Sequence, residues 1–173
     1  GVVMLSVGSG TSGAGGSVQV FSGRSTVLTG GTLSLSSGEG TATTSGIVTL
    51  RSMNSGKAGS SGMLVFSSGT TSSGNSGAMY LGTGVATSGR AGAIVVSVGS
   101  GTSGSGGEVR VMAGRSTVHT GGLLSLVSGE GTATTSGAVV IRSTNSGVGG
   151  SSGALYFSSG TSKTGNSGSV VVG

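Results

Sequence analysis

"SGEGTATTSG" occupies residues 37–46 and returns letter for letter at residues 128–137, 91 positions further along the chain. Ten letters of Gly, Ser, Thr, Ala and one Glu hold no catalytic vocabulary, so a faithful copy over that distance points to duplication of a larger structural block. Residues 1–82 aligned with 92–173 share 55 identities in 82 positions, which makes that block 91 residues long.

A shorter beat lies inside the block. Glycines preceding short apolar bursts stand at Gly1, Gly16, Gly31, Gly46, Gly62 and Gly77, and again at Gly92, Gly107, Gly122, Gly137, Gly153 and Gly168. The step is 15 residues, except after Gly46 and Gly137, where it is 16. Five steps of 15 and one of 16 make the 91-residue offset, so the duplicated unit contains six repeats. Within each repeat the third and fifth residues are always apolar, as in Val18 and Val20 or Leu124 and Leu126. A spacing of two puts both on one side of an extended segment.

Short periods of this kind are the mark of stacked repeat architectures. The pattern predicts an all-β fold, a parallel β-solenoid of about 12 coils of 15–16 residues with two six-coil super-repeats, residues 1–91 and the incomplete 92–173, in one continuous stack. Counted back from each following coil, positions 10 and 12, mostly Gly, Ala, Ser, Thr or Val, are expected to line a second strand facing the first. Gly, Ser and Asn at positions 13–15 supply turns. Stacking at ~4.8 Å gives roughly 55 Å for the whole. The sixteenth residue, near Met53 and Asn54 and near Thr144 and Asn145, reads as a bulged corner. Nothing caps either end of such a stack, so coils are expected to continue beyond both termini, in the same polypeptide or by axial stacking.

Composition narrows the function. The 173 residues include 41 Gly, no Pro, Cys or Trp, and 6% charged residues. The net charge of +5 comes from eight scattered Lys and Arg against Glu39, Glu108 and Glu130, without the basic stripe and aromatic platforms of a nucleic-acid reader. No disulfide or thiolate metal site is available, and no apolar run reaches the ~18 residues of a membrane span. The sequence has no Asp, which excludes calcium loops of the Gly-Gly-x-Gly-x-Asp kind. "GSGTSG" at 8–13 and 99–104 fits a dinucleotide glycine pattern, but a Gly-rich turn and an apolar burst follow it where the phosphate-binding helix should start. "NSGKAGSS" lacks Walker spacing, and its copy carries Val148 in place of Lys57. His119, the only histidine, corresponds to Leu28 in the first unit, so a repeated catalytic role has no basis. The expectation is a protein with no enzymatic activity, cofactor or metal.

Three surface features are candidates for function. Position 4 of the bursts should point outward, yet it holds Met4, Val65, Tyr80, Val95, Val140, Tyr156 and Val171, and position 2 adds Ile47, Met63 and Leu123. A segment apolar on both sides is normally buried on both, so these residues are expected to form a lateral interface between copies of the protein. Arg24 and Glu39, and likewise Arg115 and Glu130, occupy position 9 of consecutive coils and are expected to pair on the surface and set register. Thr11, Thr26, Thr41, Thr87, Thr102, Thr117 and Thr132 make an outward row, interrupted by Lys57, Ser72, Val148 and Lys163.

The threonine row resembles that of insect antifreeze solenoids, which implies ice as a partner. The texture of "SGEGTATTSGAVVIRS" (128–143) and "SSGTSKTGNSGSVVV" (158–172) resembles the large Gly/Ser/Thr-rich repeat proteins of diatoms and other microalgae, which implies an extracellular or cell-surface structural setting. The function expected is a fibre-forming structural protein of an extracellular filament, assembling with itself end to end and laterally. Ice binding, or an adhesive or polysaccharide-binding module, stands as the alternative. Nucleic acid and a membrane span are not expected among its partners.

Overall fold

The computed structural model describes residues 1–173 and contains no helix and no β-strand. The β-solenoid expectation is therefore wrong in its secondary structure: the repeats exist, but no ladder joins them. Only five backbone–backbone hydrogen bonds form in the whole protein, Gly150 to Gly147 and four longer closures described below. A folded protein of this length would show about one hydrogen bond per residue, most of them between backbone groups.

The sequence period survives as a period of reversals. Bends or turns begin at Thr11, Thr26, Thr41, Lys57, Ser72, Thr87, Thr102, Thr117, Thr132, Val148 and Lys163. Each falls at the eleventh residue of its repeat, or at the twelfth in the two 16-residue repeats. The repeat from Gly153 is entered through the second of those long repeats and keeps the eleventh position. The extra residue thus lies before the turn and delays it by one place. The bulged corners expected near Met53, Asn54, Thr144 and Asn145 do not arise, because there is no strand pair to bulge.

Each reversal closes in the same way. A Cβ built on a repeat-start glycine points at the seventh residue of the preceding repeat, nine positions back. From Gly46 it would lie 3.2 Å from the Ser37 Cβ, and from Gly92 3.3 Å from the Thr83 Cβ. From Gly16 and Gly107 it would collide with the side chains of Val7 and Val98. In the 16-residue repeats the partner is ten back: Ser52 for Gly62 and Ser143 for Gly153. Four closures add a hydrogen bond from the same glycine amide to the carbonyl of the eighth residue: Gly31 to Gly23, Gly46 to Gly38, Gly122 to Gly114 and Gly137 to Gly129, at 2.8–2.9 Å. The glycine marking each repeat is therefore the place where the returning segment meets the outgoing one.

Why the arms between reversals remain unpaired follows from composition. Glycine loses more backbone freedom on ordering than any other residue, and 41 of 173 residues are Gly. The returning segment, such as "TATTSG" at 41–46, has little apolar area to offset that entropy. A closed reversal needs one contact at its mouth, whereas a ladder must order every residue of two arms. The local event occurs and the long-range one does not.

The protein divides into two compact units, Gly1–Gly82 and Thr83–Gly173. The boundary lies one reversal before the end of the 91-residue duplication. The loop from Thr83 to Gly92, which carries a hydroxyl contact from Thr83 Oγ1 to the Gly92 carbonyl, goes with the second unit.

Candidate functional site

Reversal chemistry is concentrated at the tenth residue of the repeat. Ser25 and Ser116 accept hydrogen bonds at Oγ from the amides of Leu28 and His119, both at 2.9 Å, and Ser162 Oγ accepts from Gly165 N at 3.0 Å. In the two 16-residue repeats the serine works in the other sense: Ser55 and Ser146 donate from Oγ to the carbonyls of Gly59 and Gly150 at 2.7 Å. Such short side-chain-to-backbone bonds stabilise turns in competition with regular structure. Where the tenth residue is Gly40, a Cβ would fall 2.5 Å from the Thr44 carbonyl oxygen, and at Gly131 it would collide with that of Thr135. Position 10 is therefore the pivot of the bend and not the lining of a second strand. Gly74, Gly104 and Gly149, each thirteenth in its repeat, have φ of 139°, 113° and 80°, which L side chains rarely adopt.

The repeated decapeptide is the most closed of these loops. Ser37 faces Gly46, Gly38 accepts from Gly46, and Gly40 lies on the Thr44 carbonyl. The only half-buried residues of the protein are Gly40, Ser128 and Gly131, all within its two copies. Replacing Ser25 by Ala should release the Leu28 amide at a cost of about 1 kcal/mol, the worth of one neutral hydrogen bond. Amide exchange at Leu28 should quicken about fivefold, while His119, held by the unaltered Ser116, keeps its rate and serves as an internal control.

The apolar arms are uncovered but not uniformly so. From Val18 to Val170 the third residues of the repeats are between 46% and 59% exposed, whereas the apolar fourth residues run from 62% at Val65 to 94% at Tyr80. Ile47, Met63 and Leu123 at position 2 are nearly as open as Tyr80. From Val18 onward the third residues are thus less open than the apolar second and fourth, while the fifth residues, from 53% at Ile141 to 93% at Val172, overlap the fourth. Met4, Ile47, Met63, Val65 and Tyr80 present this outer side in the first unit. Val95, Leu123, Val140, Tyr156 and Val171 present it in the second. In the first unit, neighbouring arms meet in one open apolar cleft of about 320 Å³, lined by Phe66, Met79, Tyr80 and Leu81. It offers no charged group with which to orient a polar ligand.

The charged residues are arranged differently from the sequence expectation. The single ion pair joins Arg110 Nε to Glu108 Oε1 at 3.1 Å, both side chains in solvent and two residues apart on one side of an arm. Arg24 and Glu39 are not brought within salt-bridge distance, nor are Arg115 and Glu130. That pairing needed adjacent coils one strand spacing apart, and the ladder that would supply the spacing is missing. Each of the seven threonines, Thr11, Thr26, Thr41, Thr87, Thr102, Thr117 and Thr132, is the first residue of a bend. They mark where the backbone turns and are not mid-strand residues of a flat sheet. No three His, Asp or Glu side chains gather into a metal-binding group, and no helix is long and apolar enough to cross a membrane.

No protein-family model matches this sequence, and neither does any curated protein or any solved structure. What defines the class of protein is the repeat itself.

Proposed function

We propose that this is a non-enzymatic structural repeat protein that assembles with copies of itself through the outer side of its apolar arms. One observation carries the reading. A mass of 16.0 kDa exposes 17,162 Å². A folded monomer of that mass exposes roughly 7,400 Å². Every large apolar residue is part of the excess, and none is buried. Large apolar side chains left in solvent in this number favour association in a protein that stays in solution.

The area suffices. Each unit carries four aliphatic or Met residues and one Tyr on the outer side, and at roughly 100–200 Å² apiece these make on the order of 700 Å². A standard interface uses ~800 Å² per partner. The role fits the microalgal repeat proteins the sequence resembles, and an extracellular or cell-surface filament is the setting proposed. The test is sedimentation across a dilution series. Assemblies that grow with concentration support the reading, and a monomer throughout removes it.

Ice binding is favoured by one observation, the recurrence of threonine at the opening of seven of the eleven reversals. Thermal hysteresis separates it from self-assembly. Adhesion to polysaccharide would show as retention on a polysaccharide matrix.

A further inference from the structure

All four asparagines, Asn54, Asn75, Asn145 and Asn166, are followed by Ser-Gly. None of the following serines, Ser55, Ser76, Ser146 and Ser167, donates its backbone N–H to a carbonyl, and all eight residues lie in solvent. An asparagine amide beside an unengaged backbone nitrogen is the thermolabile arrangement for intramolecular attack. We propose that these four sites are spontaneous deamidation sites, and that the reversals divide them into a fast and a slow pair.

The serine nitrogen attacks the asparagine Cγ, a C–N bond closes a five-membered succinimide, and the C–N bond of the side-chain amide breaks. The amide nitrogen leaves as ammonia, taking up the proton of the serine N–H. Water then opens the ring at either carbonyl to give aspartate or isoaspartate. Ring closure requires the Asn–Ser peptide plane to turn as a unit. At Asn54 and Asn145 the neighbouring serine is tied by its hydroxyl to Gly59 and Gly150 at 2.7 Å, so the turn resists. Ser76 and Ser167, which follow Asn75 and Asn166, make no such bond. The fast pair are therefore Asn75 and Asn166, each two residues before a repeat-start glycine.

The product changes the protein's electrostatics. Each conversion removes one positive unit from a net charge of +5, so the fast pair alone lowers it to +3 and all four to +1. An isoaspartate also lengthens the backbone by one carbon, just ahead of the closing glycine.

The test is peptide mapping by mass spectrometry of the intact protein, aged at physiological temperature and mildly alkaline pH, with a parallel sample in urea. In buffer, Asn75 and Asn166 should convert about fivefold faster than Asn54 and Asn145, the rate equivalent of one neutral hydrogen bond. In urea the four rates should converge, because the triplets are identical. Equal rates in buffer, a fast pair that persists in urea, or four sites that stay unconverted in buffer while converting in urea would each overturn the proposal.

Discussion

Replacing Val65, Tyr80, Val95, Val140 and Tyr156 together with threonine should leave the protein monomeric at concentrations where the parent sediments as assemblies. The five side chains are 62–94% exposed, and only Tyr80, which lines the cleft with Phe66, Met79 and Leu81, gives up packing inside a unit when it changes. At ~25 cal/mol per Å², even ~300 Å² of apolar contact removed from an interface is worth about 7 kcal/mol. That corresponds to roughly five orders of magnitude in association constant before association costs are counted. At Val65, Val95 and Val140 threonine keeps the branched shape of valine while introducing a hydroxyl, so an effect of those three replacements alone reports apolar contact and not arm conformation. Light scattering by the replaced protein equal to that of the parent would remove these residues from the interface.

The second large effect concerns the repeated decapeptide. Replacing Gly40 and Gly131 together with valine should open both copies of the loop. The clash at each site is with backbone, the carbonyl of Thr44 or Thr135, so it is relieved only by a shift of the loop backbone itself. One hydrogen bond per loop, Gly46 to Gly38 or Gly137 to Gly129, opposes the opening and contributes only ~1 kcal/mol. Proximity between residues 37 and 46, read by nuclear Overhauser contacts, should disappear, as should that between 128 and 137. The closures at Gly31 and Gly122, built on Ser25 and Ser116, should remain. Retention of the Ser37–Gly46 contact in the variant would show that position 10 is not the pivot.

Sequence and structure agree on where the backbone turns and disagree on what the straight parts do. Repeat starts read from the sequence coincide with the closing glycines, and the single-residue delay after Gly46 and Gly137 reappears in the bends at Lys57 and Val148. Such features are local, set by Gly and Ser chemistry within ten residues. The alternation at positions 3 and 4 is also legible, and it survives in the exposures of Leu33 and Tyr80. The same alternation suggests strand pairing, but it shows only that a segment is extended. Whether two extended segments pair depends on a sum over glycine entropy and small returning residues that no single position reveals. The expected pairing of Arg24 with Glu39 fails with the ladder it depends on. The role of position 10 is not read from the sequence although it has a signal there: nine of the eleven reversals carry Ser or Gly at that place.

Amide hydrogen exchange on the dilute, monomeric protein tests the central claim most directly, because it reads closure and pairing residue by residue. The amides of Gly31, Gly46, Gly122 and Gly137 should exchange several-fold more slowly than unprotected peptide, consistent with one weak hydrogen bond each. The arm amides, Val18 to Val20 or Leu124 to Leu126 among them, should exchange at the unprotected rate. Strong protection running through the arms of the monomer would mean that the arms pair with one another, and would contradict an architecture of closed reversals joined by unpaired apolar arms.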